Sequence, residues 1–279
     1  MKKIFQVIGF ISLTCFSFFM TEQTSLVVNS MDDIMISIND NKDGYKSIAK
    51  DAYIDEDTII PGVCSKTVNV KKSYKNMKLN GYYNDKLYIY DYKKPKISLE
   101  DNINKYIIKG NPEKRFVSLI FVVEDNDDIN GILNIINNYN AKVSFFVTKD
   151  YFKNNTEYVE SIINQGHNIG IYTSDYTDSD IDLFEVIIKK IDKQKNIFCY
   201  NPDKNKDNLD ICFSKGNYTI KPILISDTVP LLSVKENLES GNILSLKINS
   251  QLKKELSTMI IYIKSKGLKL TNLEDNVLE

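Results

Sequence analysis

The chain has 279 residues, 42% of them hydrophobic and 26% charged, enough to bury a full core in one large domain or two modest ones. With 36 basic against 37 acidic residues, the net charge of −1 shows no chain-wide basic excess of the kind that binds nucleic acid. One histidine (His167), one arginine (Arg115) and no tryptophan exclude any mechanism that draws two histidines from a single chain. A Ser-His-Asp hydrolase is excluded too, unless His167 is its base.

At the N-terminus, Lys2 and Lys3 precede an apolar run from Ile4 to Met20, the layout of a secretory signal peptide. The run is near the short limit for a membrane span, and no clear small-residue cleavage site follows it. Residues 1–25 are therefore expected to be a signal peptide or, through residues 4–20, a membrane anchor, which places the protein outside the cytoplasm. Ser12, Leu13 and Thr14 make a poor lipoprotein box before Cys15. Residues 26–112 are read as a polar tether and a small flanking segment, with turns at "IIPGV" and a strand at "LYIYDY". Tyr82, Tyr83, Tyr88, Tyr90 and Tyr92 could form a sugar-stacking platform; a strand with aromatic residues on both faces is the reading preferred.

From residue 113 to 279 the pattern changes. "FVSLIFVV" is a continuous apolar run of the kind buried parallel strands show. "INGILNIINNY" has helical spacing, with Ile129, Leu133, Ile136 and Tyr139 near one face. "KVSFFV" is a second strand, and "NTEYVESIINQG" a helix closed by Gly166. "NIGIY" and "SDIDLFEVIIKKID" follow as strand and helix, with Ser179 expected as N-cap. "PILIS", "NILSLKI", a helix ending at Gly267 and "LKLTNL" complete an alternation that implies an α/β fold with parallel strands. Cys64, Cys199 and Cys212 are odd in number and widely spaced; buried free thiols are the expectation, with a Cys199–Cys212 bridge as the alternative.

These elements, in this order, resemble the polysaccharide deacetylase (NodB-type) family from about Val117 to Leu273. "NAKVSFFV", "INQGHNIG", "ESGNILSLKI" and "IIYIKSKGLKLTNLED" carry the resemblance. The stretch upstream, including "AYIDEDTIIPGV" and "KGNPEKRFVSL", is similar to the flank of the family's sporulation-associated branch. The resemblance implies a distorted (β/α) barrel with a small N-terminal segment. It also implies a divalent metal, usually zinc, held by one aspartate and two histidines, with a second aspartate as base and a late histidine as acid.

Position by position, that chemistry is missing. The paired aspartates of the first motif fall on Val122 and Val123, and the two metal histidines on Tyr172 and Tyr176, poor ligands because a phenol titrates near 10. The base-orienting arginine falls on Cys199, and the late histidine on Lys247. Of a Trp and Asp pair only Asp227 remains. The zinc site is therefore not expected to be retained, and no cofactor is expected. His167 matches a histidine that precedes the catalytic loop and is read as structural.

The expected function is a catalytically inactive protein of deacetylase fold that binds cell-wall glycan, or a wall-modifying partner, in sporulation. Glu124, Asp125, Tyr172, Asp175, Tyr176 and Tyr200 are the expected lining of its groove. One alternative is a metal-dependent N-deacetylase with a site rebuilt from Asp125, Asp175, Asp178 or Asp227, since carboxylates in the loops after parallel strands can hold a hard cation. Another is a docking body whose segment 52–112 makes the partner contacts.

Overall fold

The computed structural model describes residues 11–14, 16–17, 32–124, 127, 129–192 and 196–279. Most of residues 1–25, expected to be an export segment, and Cys15, Asp125 and Asp128 lie outside the described residues. Among the described residues, no helix is long and apolar enough to cross a membrane.

The first segments in chain order are α1 (Asp33–Asn41), β1 (Tyr53–Asp55), β2 (Thr58–Ile60), β3 (Ser65–Val68), α2 (Val70–Asn80), β4 (Tyr90–Lys93) and β5 (Tyr106–Ile107). There follow β6 (Phe116–Val123), α3 (Ile129–Asn138), β7 (Ser144–Val147), α4 (Lys149–Asn154), α5 (Thr156–Asn164), β8 (Asn168–Ile171) and α6 (Asp178–Ile191). The chain closes with β9 (Phe198–Tyr200), α7 (Lys206–Ser214), β10 (Tyr218–Ile220), β11 (Ile223–Leu224), α8 (Pro230–Glu236), β12 (Ile243–Lys247), α9 (Ser250–Ser265), β13 (Lys269–Leu270) and α10 (Leu273–Val277).

These segments form two compact units, one of residues 1–49 and 64–94, the other of 50–63 and 95–279. In the smaller unit, β3 and β4 pair antiparallel. Asn69 opens α2, its side chain accepting from the Lys72 N–H, and Gly81 in the left-handed region closes it. Ile38, Met77 and Tyr88 are the core, with Tyr45, Tyr74, Tyr83 and Tyr90 packed round them. Tyr88, just before β4, and Tyr90 and Tyr92 within it do not make the expected strand with aromatic residues on both faces. Spaced two apart, they stand in one row, with centroids 6.1 and 6.4 Å apart, running from buried Tyr88 to exposed Tyr92.

The larger unit is built on a curled, mostly parallel sheet in the order β1-β2-β5-β10-β9-β8-β7-β6-β12-β11, with β13 paired to the start of β6. This is the (β/α) barrel-type architecture expected. The boundary expected at residue 113 falls differently: β1, β2 and β5 belong to this sheet, because Tyr106 pairs with Thr58 on one side and Thr219 on the other. Alternation survives inside the apolar run of β6. Ile120 and Val122 face an inner cluster with Phe146, Phe198, Tyr200 and Ile243. Leu119, Phe121 and Val123 face the outer helices beside Phe145, Ile132 and Leu256.

Several local expectations hold. Gly166 (φ +83°) ends α5 as read, and Gly170 is required because a Cβ there would stand 2.2 Å from the Phe146 ring. Two do not. Thr177, not Ser179, caps α6: it is the residue with extended backbone, and its hydroxyl accepts from the Asp180 N–H. Cys199 and Cys212 are joined by a disulfide rather than free, because outward-facing Cys199 of β9 meets α7 with 6.5 Å between Cα atoms. Cys64 keeps its thiol and is half-buried.

Candidate functional site

The C-terminal ends of β6, β8, β9 and β12 open into a cleft of about 300 Å³ lined by Val122, Tyr172, Tyr200, Lys247 and the loop after β9. Lys247 lies opposite Val122 in the β6–β12 register and is exposed at the strand end. Tyr172 and Tyr200 meet edge to face, 5.5 Å between centroids and 86° between planes. Tyr200 is fixed beneath: its ring packs on Phe146 and its hydroxyl pairs with Ser245 Oγ at 2.8 Å. Burial pushes its phenol up to about 12. Tyr172 is only partly buried and so presents ring surface to the cleft.

On its other side, the Tyr172–Ser174 segment borders a second hollow, about 360 Å³, lined by Thr148, Lys149, Asp150 and Asp180. Lys149 and Asp180 form an ion pair across it. Burial raises the Asp180 carboxyl, but bonds from Lys149 and Thr177 outweigh that and leave it lowered. Asn208 of α7 holds the intervening loop, donating to the Ser174 carbonyl at 2.8 Å and accepting from the Tyr176 N–H at 2.9 Å. Neither Asn208 nor Ser245 stands out in the sequence; only the packing of α7 and β12 reveals them.

Tyr176 does not line the groove. It is 3% exposed, within the helix-side core. Its hydroxyl accepts from the Tyr200 N–H at 2.8 Å, donates to the Ile171 carbonyl at 2.7 Å and lies 3.1 Å from the Tyr200 carbonyl. The paired register of β8 and β9 is a single position, Ile171 with Cys199. The phenol stands in for the next rung of that ladder, and burial raises its pKa.

The remaining expected positions divide by strand parity. Val123 and Cys199 are fully buried on the face away from the cleft. A side chain that orients a group in the cleft must come from the inward position of β9, which is Tyr200 rather than Cys199. Asp227 is exposed and lines neither hollow. Glu124 is exposed after β6, its N–H held by Asp127 Oδ2 at 2.7 Å; burial raises the Asp127 carboxyl. Asp175 is exposed and accepts from Ser174 Oγ at 3.1 Å. Glu124 and Asp175 are thus outside both hollows. Asp178 and Asp182 are paired with Lys215. Among the described residues no group of three His, Cys, Asp or Glu side chains is placed to hold a metal.

His167 is fully buried at the end of α5. Its Nδ1 accepts from the Val143 N–H at 3.3 Å and its ring meets Phe145 edge to face. Nε2 has no partner, and burial, with Lys142 nearby, lowers the imidazole to about 4. The family's zinc therefore does not fit these donors: a valine faces the cleft, one tyrosine is tied up by backbone, and the single imidazole is in the core.

The polysaccharide deacetylase family model matches residues 109–214. The chain is 31% identical over 161 residues to YlxY of Bacillus subtilis (strain 168), a protein described as uncharacterized. That match covers 57% of the chain and 50% of YlxY, so the chain spans half the length of this relative. Among solved structures, wild-type BA3943 of Bacillus anthracis, described as a CE4 family pseudoenzyme, aligns with TM-score 0.63 and 22% identity over 88% of this chain and 95% of its own. A BA3943 mutant described as having restored enzymatic activity aligns with TM-score 0.64 and 22% identity, over 88% of this chain and 98% of that one. PdaA of Bacillus subtilis, a family 4 carbohydrate esterase, aligns at 0.53 and 17%, over 64% of this chain and 86% of its own. At such identities the likeness is one of fold.

Proposed function

We propose that this chain is a non-catalytic member of the deacetylase fold that binds cell-wall glycan outside the cytoplasm, during sporulation, through the cleft at Tyr172. One observation carries the reading: where the resemblance places carboxylates and imidazoles, this cleft presents Val122, Tyr172 and Lys247, with Tyr200 beside them. An aliphatic side chain takes no proton and holds no cation, whereas an aromatic face stacks on the apolar face of a sugar ring. Lys247 adds a donor at the rim. The Cys199–Cys212 disulfide supports export, since such bonds persist in oxidising compartments. The flank resembling the sporulation-associated branch supports the cellular setting, and BA3943 offers a precedent for a deacetylase fold without activity.

The test is titration of the full chain with peptidoglycan fragments by calorimetry. Tyr172→Ala should weaken binding about tenfold, the cost of one stacked ring, about 1.4 kcal/mol. Unchanged affinity would remove the cleft from the proposal. Release of acetate from the same fragments, at a rate that rises with added zinc, would overturn the non-catalytic reading.

A further inference from the structure

The near-zero net charge hides a strong local excess. Residues 64–94, all in the smaller unit, carry eight lysines and two aspartates, a net of +6 in a chain whose total is −1. Four of these lysines lie on α2, together with Tyr74 and Leu79. At 100° per residue, Tyr74, Lys78, Lys71, Lys75, Leu79 and Lys72 follow one another across a single arc of the helix. The opposite side, Ser73 and Met77, is fully buried. Lys71, Lys75 and Lys78 wall a hollow of about 360 Å³ floored by Tyr74 and Leu79. Leu79 is 80% exposed, and Tyr82 just beyond the helix is 54% exposed.

We infer that this face of α2 rests on an anionic phospholipid bilayer. The chemistry favours that occupant in two ways. A cationic rim round an apolar floor matches an interface in which phosphates lie above acyl chains, and Lys stems can reach past the apolar residues to the headgroups. The chain also supplies proximity: eleven residues separate the apolar run ending at Met20 from Asp32, at the start of α1 in the same unit. Fully extended, they reach about 40 Å, so an inserted run keeps the lysine face within range of the headgroups. The inference shares with the proposed function only the location outside the cytoplasm; it requires no glycan in the cleft.

The test is flotation of the full chain with vesicles of phosphatidylcholine alone or with about one-third phosphatidylglycerol, at low and high salt. Binding to the neutral vesicles reports the apolar run. The added binding to the anionic ones reports α2. Each lysine near an anionic surface contributes about fivefold, so K71Q/K72Q/K75Q should lower the anionic increment about a hundredfold and leave neutral binding unchanged. K71R/K72R/K75R, which keeps the charge, should retain it, and 0.5 M salt should abolish it. An increment that survives the glutamine substitutions overturns the inference. So does binding to soluble polyphosphate without preference for anionic vesicles, which would assign the face to a wall polymer instead.

Discussion

The family resemblance assigns Tyr176 to a metal-ligand position, yet its environment makes it a structural residue, and Tyr176→Phe separates the two roles. The substitution keeps the ring and its packing and removes one oxygen. That oxygen accepts from the Tyr200 N–H and donates to the Ile171 carbonyl, at a site 3% exposed. A buried donor left without a partner costs about 1–3 kcal/mol, and the lost bond to the carbonyl adds about 1 kcal/mol. The expected destabilisation is therefore about 2–4 kcal/mol, equivalent to a fall of about 5–15 °C in Tm for a unit of this size.

Urea unfolding followed by circular dichroism gives the total. Hydrogen exchange at the Tyr200 amide gives the local value, because that N–H is the one exposed when the phenol is gone. Tyr172→Phe is the matched control: among the described residues its hydroxyl makes no hydrogen bond to the backbone, so the change should stay within about 0.5 kcal/mol. A Tyr176→Phe protein as stable as wild type, with unchanged exchange at Tyr200, would refute the structural assignment. Weakened glycan binding without loss of stability would return Tyr176 to the groove.

Three further outcomes are expected. His167, the sole histidine, is held near 4 against an ordinary value of 6.5, so it takes up its proton on unfolding. Stability should be complete above about pH 6.5 and fall as pH drops toward 4, by up to about 3 kcal/mol, and His167→Phe should remove that slope in urea titrations across the window. Breaking the Cys199–Cys212 bridge with Cys212→Ser should cost about 3 kcal/mol for a loop of 13 residues, read as a lower urea midpoint than the oxidised wild type. Lys247→Glu should leave stability within about 0.5 kcal/mol, because the side chain is exposed, while altering affinity for peptidoglycan fragments in calorimetry.

The alternation of strand and helix was legible because a buried parallel strand and an amphipathic helix differ in period, and motifs such as "GHNIG" tie two elements through glycines with steric duties. That one histidine cannot supply the two metal imidazoles and the acid that the resemblance implies was legible from composition alone. What escaped was side-chain direction. Val122 and Val123 are equivalent in a string of letters, yet one faces the cleft and the other the helices. Tyr172 and Tyr176 are likewise similar letters four apart, but the first follows β8 into the cleft while the second folds back against β9. The disulfide escaped for a related reason: whether two distant cysteines meet depends on how α7 packs on β9. The basic arc of α2 was diluted by acidic residues elsewhere, which a whole-chain charge averages away.

Parity also says how hard it would be to build the family's metal chemistry into this cleft. Of the cleft-facing positions, Val122 is packed into the inner cluster, whereas Tyr172 and Lys247 touch solvent and can change with modest cost to folding. Tyr176 and Cys199 cannot, since one completes the β8–β9 ladder and the other anchors β9 to α7. An imidazole at 176 would have to leave the core to reach a metal, giving up the rung that holds the Tyr200 backbone in place. The positions that the resemblance assigns to the metal site are therefore part of the fold on one side and open to the cleft on the other. A quadruple change to V122D, V123D, Y172H and Y176H should consequently lose stability before it gains zinc, because Val123 and Tyr176 both face the core. Stoichiometric zinc binding by that variant at wild-type stability would contradict the assignment of those two side chains.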